Sequence, residues 1–343
     1  MGGEALKHTG TRRYENEEFQ LLALEMIPKV REIFQTQAEL VKSYRNKESH
    51  GDMDILVLKN DKFSFKEKME LIEKHFNPTD IVKNSDCWSF DYQELQIDLI
   101  FTPEENWETS QVFFAYNDLG NLMGKIFHKF GLKYGFDGVK YVLRSDDRDR
   151  VLKEFVLTKD MEKAFKFIGL SWEKFEEGFD DLQEIFDYVI GSPYFSSESF
   201  KLENLNAINK KRNRRRKVYQ EFVEYTKDIE KNFVFKDKDT YLPIIDAYFT
   251  GGSLKEEIEK LQESARLLKS ARKMFNGNLI RETYPSLEGA ELGSVISGFT
   301  KYIKLHYNQT LDEFLITCFK EKENYPHENL PMEIFIRYYE EKD

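Results

Sequence analysis

Residues 43–58 read SYRNKESHGDMDILVL. Two carboxylates, Asp52 and Asp54, stand one residue apart, directly ahead of the apolar run Ile55–Leu58. In an extended chain, residues i and i+2 project to the same side. Both aspartates therefore face one way at the mouth of a strand. A D-x-D pair alone is weak, because most such pairs lie on surfaces or turns. The stretch LQIDLIF further on sharpens it. Its alternation puts Gln96, Asp98 and Ile100 on one face and Leu95, Ile97, Leu99 and Phe101 on the other. An unpaired carboxylate inside such a strand costs several kcal/mol or loses its charge. If the two strands are neighbours, three carboxylates converge, repel one another and push their pKa values up. A divalent cation resolves that conflict. An all-oxygen donor set suits Mg²⁺, and two such ions about 4 Å apart stabilise an attacking oxygen and a leaving pyrophosphate.

The rest of the chain fits an α+β protein. Asn16–Phe34 has Phe19, Leu22, Met26 and Val30 at helical spacing, with Pro28 inside. A short strand is expected at about Leu40–Ser43, a second helix at FKEKMELIEKHF, and paired strands at DCWSFDYQ and ELQIDLIFT. Helices follow over about 104–130, then a strand at VKYVLR. From about residue 160 the pattern is mostly helical, including a basic helix start at NKKRNRRRK, a long amphipathic helix over 253–275, a loop followed by a helix over 276–299, and two more short helices over 308–340. Gly277 reads as the cap of one helix, and another begins near Glu288. The domain boundary falls near 155–170.

Bulk properties exclude several classes. The net charge of −11 is no general attractant for nucleic acid, so a polyanion must meet a local basic patch. Cys87 and Cys318 fit no metal spacing and read as reduced thiols of a cytoplasmic protein. The N-terminus lacks the apolar core of a signal peptide, and no run approaches a membrane span. The 29 phenylalanines point to ring-packed helical layers. The block KKRNRRRK, 210–217, places Lys210, Lys211, Arg212, Arg214, Arg215, Arg216 and Lys217 together. It reads as a phosphate-binding surface or as a solvated helix start paired with Glu221 and Glu224. Tyr219, Phe222 and Tyr225 are either base-stacking rings or, from their helical spacing, core.

SYRNKESHGDMDILVL, LQIDLIFTPEENW, QVFFAYNDLGNLMGKIFHKFGLKYGF and LTKDMEKAFKFIGLSW together resemble the active-site segments of the polymerase-beta-like (family X) nucleotidyltransferases, in order and spacing, over about residues 16–185. The resemblance implies a palm over 15–155 after a flexible stretch 1–14, and a thumb-like, helical body over 156–343. It implies transfer of a nucleoside monophosphate from an NTP or dNTP to a nucleic-acid 3′-hydroxyl, with two Mg²⁺ ions, or Mn²⁺ in their place. Asp52 and Asp54 would hold both metals, and Asp98 the catalytic one. Ser43, Arg45 and the Gly51 N–H would meet the triphosphate. Phe113 and Phe114 would lie beneath the sugar, Asn121 at the base edge and Lys125 at the template strand. The chain departs from the family at Lys42, where the turn glycine is usual, and at Asn46, where a second arginine is usual. The family's lyase and helix-hairpin-helix modules have no counterpart ahead of the first helix, so tight binding of gapped DNA is not expected. FNGNLIRETYPSLEGAELGSVI is faintly similar to an element of tRNA CCA-adding and poly(A)-adding enzymes, which keeps RNA 3′-tailing open. A protein- or small-molecule-modifying transferase and a non-catalytic nucleic-acid-binding relative are the other readings. Retention of all three aspartates speaks against the last.

Overall fold

The computed structural model describes residues 5–6, 10–147, 150–322 and 329–341. Contacts along the chain divide it into two units. One comprises Met1–Val142 with Glu154–Thr250, the other Leu143–Lys153 with Gly251–Asp343.

The first unit opens with β1 (Tyr14–Glu15) and α1 (Asn16–Phe34). Then come β2 (Ala38–Leu40), β3 (Ser49–His50), β4 (Asp52–Leu58), α2 (Phe65–Phe76), β5 (Ile81–Asn84), β6 (Cys87–Tyr92) and β7 (Leu95–Thr102). Five of the strands form one sheet in the order β2-β4-β7-β6-β5. β4 and β7 are parallel, and the other pairs are antiparallel. Period-two alternation gives this sheet two different faces. Met53, Ile55 and Val57 of β4 and Leu95, Ile97, Leu99 and Phe101 of β7 pack under α1 and α2. α1 contributes Phe19, Leu22, Met26 and Val30, the expected stripe. Ser64 and Glu67 close a capping box that starts α2. The opposite face of the sheet keeps the polar residues.

α3 (Trp107–Phe114) and α4 (Leu119–Lys129) follow, then β8 (Leu132–Gly135), β9 (Gly138–Arg144) and β10 (Val151–Thr158), which form a three-stranded sheet in the order β10-β9-β8. The unit continues through α5 (Met161–Phe167), α6 (Trp172–Glu177), α7 (Leu182–Gly191), α8 (Ala207–Asn213), α9 (Lys217–Tyr225) and α10 (Leu242–Thr250). Asp160, Ser171 and Asp181 cap α5, α6 and α7 by accepting backbone N–H bonds.

The second unit holds α11 (Ser253–Ala271), α12 (Gly277–Thr283), α13 (Gly289–Tyr307), α14 (Leu311–Glu321) and α15 (Leu330–Glu340) around Phe275, Phe299, Phe314 and Phe335. The 143–153 segment joins it through Arg266–Asp146 (2.8 Å) and Lys269–Asp147 (3.0 Å).

The α+β class and the helical C-terminal body agree with the sequence reading. Several local expectations need correction. The early strand is Ala38–Leu40 rather than Leu40–Ser43. The helices expected over 104–130 are present as α3 and α4, separated at 115–118, where Tyr116 and Asn117 take positive φ (57° and 59°). The basic helix is two helices with a break at Arg214–Arg216. Gly277 begins α12 behind the Asn276 cap instead of ending the previous helix, because the Asn276 side chain accepts from the N–H groups of Asn278 and Leu279. Tyr219 and Phe222 are fully buried core, whereas Tyr225 stays exposed.

Candidate metal centre

Strand register builds the site. In the parallel β4–β7 ladder, Asp54 stands opposite Asp98 and Asp52 opposite Gln96. On the other side of β7, Ser89 stands opposite Asp98. All these residues share the face turned away from α1 and α2. Oxygens of Asp52, Asp54 and Asp98 lie within 4.8 Å of one another, as ligands of one cation would. Gln96 Nε2 donates to both oxygens of Asp98 at 3.0 Å, and the Ser89 hydroxyl also bonds to it. Asp98 is 8% exposed. Its neighbours therefore fix its orientation without neutralising it.

The electrostatics agree with the geometry. Burial, then the charges of Asp52 and Asp98, hold Asp54 well above the usual carboxylate range. Burial pushes Asp98 up to about 6 with help from Asp52, against the hydrogen bonds of Ser89 and Gln96. The same cluster, after burial, drives the neighbouring Cys87 thiol up to about 12. The donor set is all oxygen and anionic, which fits a hard divalent cation such as Mg²⁺ or Mn²⁺.

Lys47, which sequence reasoning passed over, stands close enough to Asp52 and Asp54 to feel both charges, although burial lowers its own pKa. Its Nζ reaches Asn117 Oδ1 at 3.5 Å. A lysine in a polar loop carries no local signal that it will be turned toward carboxylates.

The turn before β4 is clamped. Tyr116 N–H bonds to Lys42 O (2.8 Å), Arg45 N–H to Phe179 O (2.9 Å) and Asn46 N–H to Asp180 O (2.8 Å). Arg45 pairs with Asp180 and donates to Glu177 O at 2.9 Å. Lys42, Ser43 and Arg45 line a cavity of about 270 Å³ with Tyr116, Glu177 and Phe179. Lys42 is not among the described residues with positive φ, so the turn requires no glycine there. Gly51 lies between β3 and β4.

Phe113 and Phe114 end α3 and meet edge-on at 5.2 Å; Phe114 stacks on Phe136. Gly120 is required beneath them, because a Cβ there would lie 2.5 Å from Phe113 O. Asn121 and Lys125 lie on α4. Asn121 Nδ2 donates to Asn213 Oδ1 at 3.3 Å, and Lys125 Nζ sits 5.8 Å from the Tyr219 ring centre. Arg216 pairs with Asp118, the residue ahead of α4. Arg212, Asn213 and Arg216 are thus brought to α4, whereas Lys211, Arg214, Arg215 and Lys217 remain exposed and Lys210 is partly buried.

Among the described residues, no helix is long and apolar enough to cross a membrane. No protein-family model and no curated protein matches the chain. Solved structures do match. One is Leishmania infantum polymerase beta in a ternary P/T complex, 14% identical, with a TM-score of 0.33 over 55% of this chain and 76% of that one. At that score the likeness adds nothing to the chemistry, which rests on the three carboxylates themselves.

Proposed function

We propose that the chain is a metal-dependent nucleotidyltransferase. It transfers a nucleoside monophosphate from an NTP or dNTP to a nucleic-acid 3′-hydroxyl and releases pyrophosphate. The observation that carries this reading is the convergence of Asp52, Asp54 and Asp98 within 4.8 Å on two paired strands. Such a cluster is costly unless a cation answers it. When bound there, Mg²⁺ or Mn²⁺ would neutralise phosphate charge and lower the pKa of the attacking hydroxyl.

The chain's own residues supply position. Asp52 and Asp54 would hold the metal and, through it, position the triphosphate. Asp98, held by Gln96 and Ser89, faces the acceptor and is the candidate to take the hydroxyl proton. The acceptor oxygen bonds to the α-phosphorus, and the bond from that phosphorus to the bridging oxygen breaks. Phosphoryl-type transfer needs positioning and charge neutralisation more than a protein nucleophile, which fits a site without histidine or thiolate. Lys42 and Ser43 border the 270 Å³ cavity as phosphate-binding candidates. Arg45 would have to leave Asp180 to join them.

The test is incubation of the full chain with labelled ATP, CTP and dNTPs, Mg²⁺ or Mn²⁺, and separate DNA primers, tRNA and protein acceptors. Asp98→Asn serves as the matched control. Transfer to a nucleic acid that the control lacks is expected. Transfer to protein alone would reassign the acceptor, and no transfer to any acceptor would refute the reading.

A further inference from the structure

Gln96 links the carboxylate cluster to the stretch of chain ahead of β1. Its Nε2 donates to both oxygens of Asp98 at 3.0 Å, and its Oε1 accepts the backbone N–H of Ala5, also at 3.0 Å. Gln96 is 2% exposed, so solvent is no ready substitute for either partner. A primary amide donates at one end and accepts at the other. Turned over, this one would set its oxygen against the Asp98 carboxylate and its NH₂ group against the Ala5 N–H. Two mismatched contacts at a buried place make that orientation costly. The Ala5 N–H thus selects the orientation in which Gln96 donates to Asp98.

Other contacts hold this stretch against the same strand. Leu6 is buried, although Ala5 beside it faces solvent. Further along, Arg12 N–H bonds to Glu94 O at 2.8 Å, Arg12 Nε to Glu94 Oε2 at 3.0 Å and the Tyr14 hydroxyl to Gln93 O. Tyr14 and Glu15 then pair with β3. Gln93 and Glu94 are the two-residue turn between β6 and β7, and both take positive φ, 49° and 61°. Such turns favour Asn and Gly. Other residues persist in that conformation where surrounding contacts hold them there. Here Tyr14 and Arg12 hold the carbonyls of both turn residues. The stretch therefore meets β7 twice, at the turn that starts it and at Gln96, two residues before Asp98.

We propose that Ala5 is a positioning residue of the metal centre: its backbone N–H, relayed through the Gln96 amide, aims the Asp98 carboxylate at the cation. That Asp98 is catalytic rests on the nucleotidyltransferase reading; that it is a metal ligand rests on the carboxylate cluster. The role belongs to a backbone hydrogen, so side-chain changes at position 5 leave it intact and proline removes it. Without that hydrogen the amide is free to turn, and Asp98 loses the donor that fixes its direction. Partners in this outer position typically set metal affinity by about ten- to a hundredfold.

The experiment measures metal binding without turnover. Mn²⁺ is titrated calorimetrically into the full chain in the absence of nucleotide and acceptor. Ala5→Pro deletes the hydrogen from a residue whose side chain faces solvent. Ala5→Gly keeps it, and Gln96→Met removes the relay at similar size. Ala5→Pro should weaken Mn²⁺ binding about tenfold, and Ala5→Gly should bind as the wild type does. Gln96→Met should lose at least as much as Ala5→Pro. Adding Ala5→Pro to Gln96→Met should cost nothing further, because both changes cut one chain of contacts. Wild-type affinity in Ala5→Pro would overturn the proposal. So would the same loss from Ala5→Pro with and without Gln96, since that loss would come from general loosening of the stretch. An equal loss in Ala5→Gly would overturn it too, because the hydrogen is still present there. A wild-type chain that transfers no nucleotide yet follows this pattern of Mn²⁺ affinities would refute the transferase reading and support the relay.

Discussion

Replacing Asp98 with asparagine should make the metal-free protein more stable and the enzyme inactive. Asp98 is pushed from 3.8 to about 6. A raised carboxyl pKa means that stability is lost as pH rises through the folded-state value, so at pH 8 the ionised group costs the folded state about 3 kcal/mol as an upper figure. The asparagine side chain removes the charge. It keeps one oxygen for Gln96 but turns an amide toward its partners, a loss of about 1 kcal/mol. The net gain is about 2 kcal/mol, or roughly 4–8 °C in Tm for a unit of this size. The gain should shrink as the pH is lowered from 8 toward 4, where the wild-type carboxyl is protonated. Mg²⁺ should act in the opposite sense: at about 100 times its Kd it adds about 2.7 kcal/mol to the wild type and much less to the variant. Thermal unfolding of both proteins at pH 8 and pH 5, with Mg²⁺ and with EDTA, reads all four terms. A variant with unchanged or lower Tm in EDTA and an undiminished Mg²⁺ response would refute the three-carboxylate site.

Three further outcomes follow from neighbouring features. His50 is 2% exposed, stacked on Phe19 at 3.6 Å, and burial with Lys47 and Arg13 lowers its pKa to about 3. Its contribution is present above about pH 6.5 and falls as pH drops toward 3, by about 1.4 kcal/mol per unit; denaturant unfolding of His50→Gln between pH 6 and 4 should show a shallower acid loss than the wild type. Gly120→Ala should destabilise the first unit by about 1–3 kcal/mol, because the added Cβ meets Phe113 O at 2.5 Å; an unchanged urea midpoint would mean that α3 yields freely. Lys42→Ala should weaken nucleotide binding about tenfold or more if the ammonium meets phosphate across the cavity, measured by calorimetry with a non-hydrolysable nucleotide, and equal affinity would move the triphosphate elsewhere.

Much of the centre was legible because its signals are local. Period-two alternation placed Asp98 on the polar face of β7, and the D-x-D spacing placed Asp52 and Asp54 together. The unsignalled strands are short or open at an edge. β5 has four residues, two of them exposed, and β10 buries only Phe155 and Leu157 fully, so neither shows a clean apolar pattern. The break at Arg214–Arg216 has no glycine or proline to announce it. Lys47, Asn213 and Asp118 acquire their partners only through tertiary contact, which no window of sequence contains. The positive φ at Tyr116 is likewise stabilised from afar, by Phe175 and Phe179 packed edge-on against the ring at 5.2 and 4.9 Å.

The second unit is assembled from two stretches of chain, Leu143–Lys153 and Gly251–Asp343. This has a consequence for synthesis on the ribosome. Asp146 and Asp147 emerge more than a hundred residues before Arg266 and Lys269, their eventual partners. The hairpin tip must wait, solvated, until α11 has been made. Closing so long a loop is slow although its entropic cost grows only logarithmically with length. A fragment beginning at residue 251 would lack Asp146 and Asp147 and so both of these ion pairs, and one ending at residue 250 would lack Arg266 and Lys269. Limited proteolysis between the two units should therefore release no piece with the full cooperativity of the intact chain.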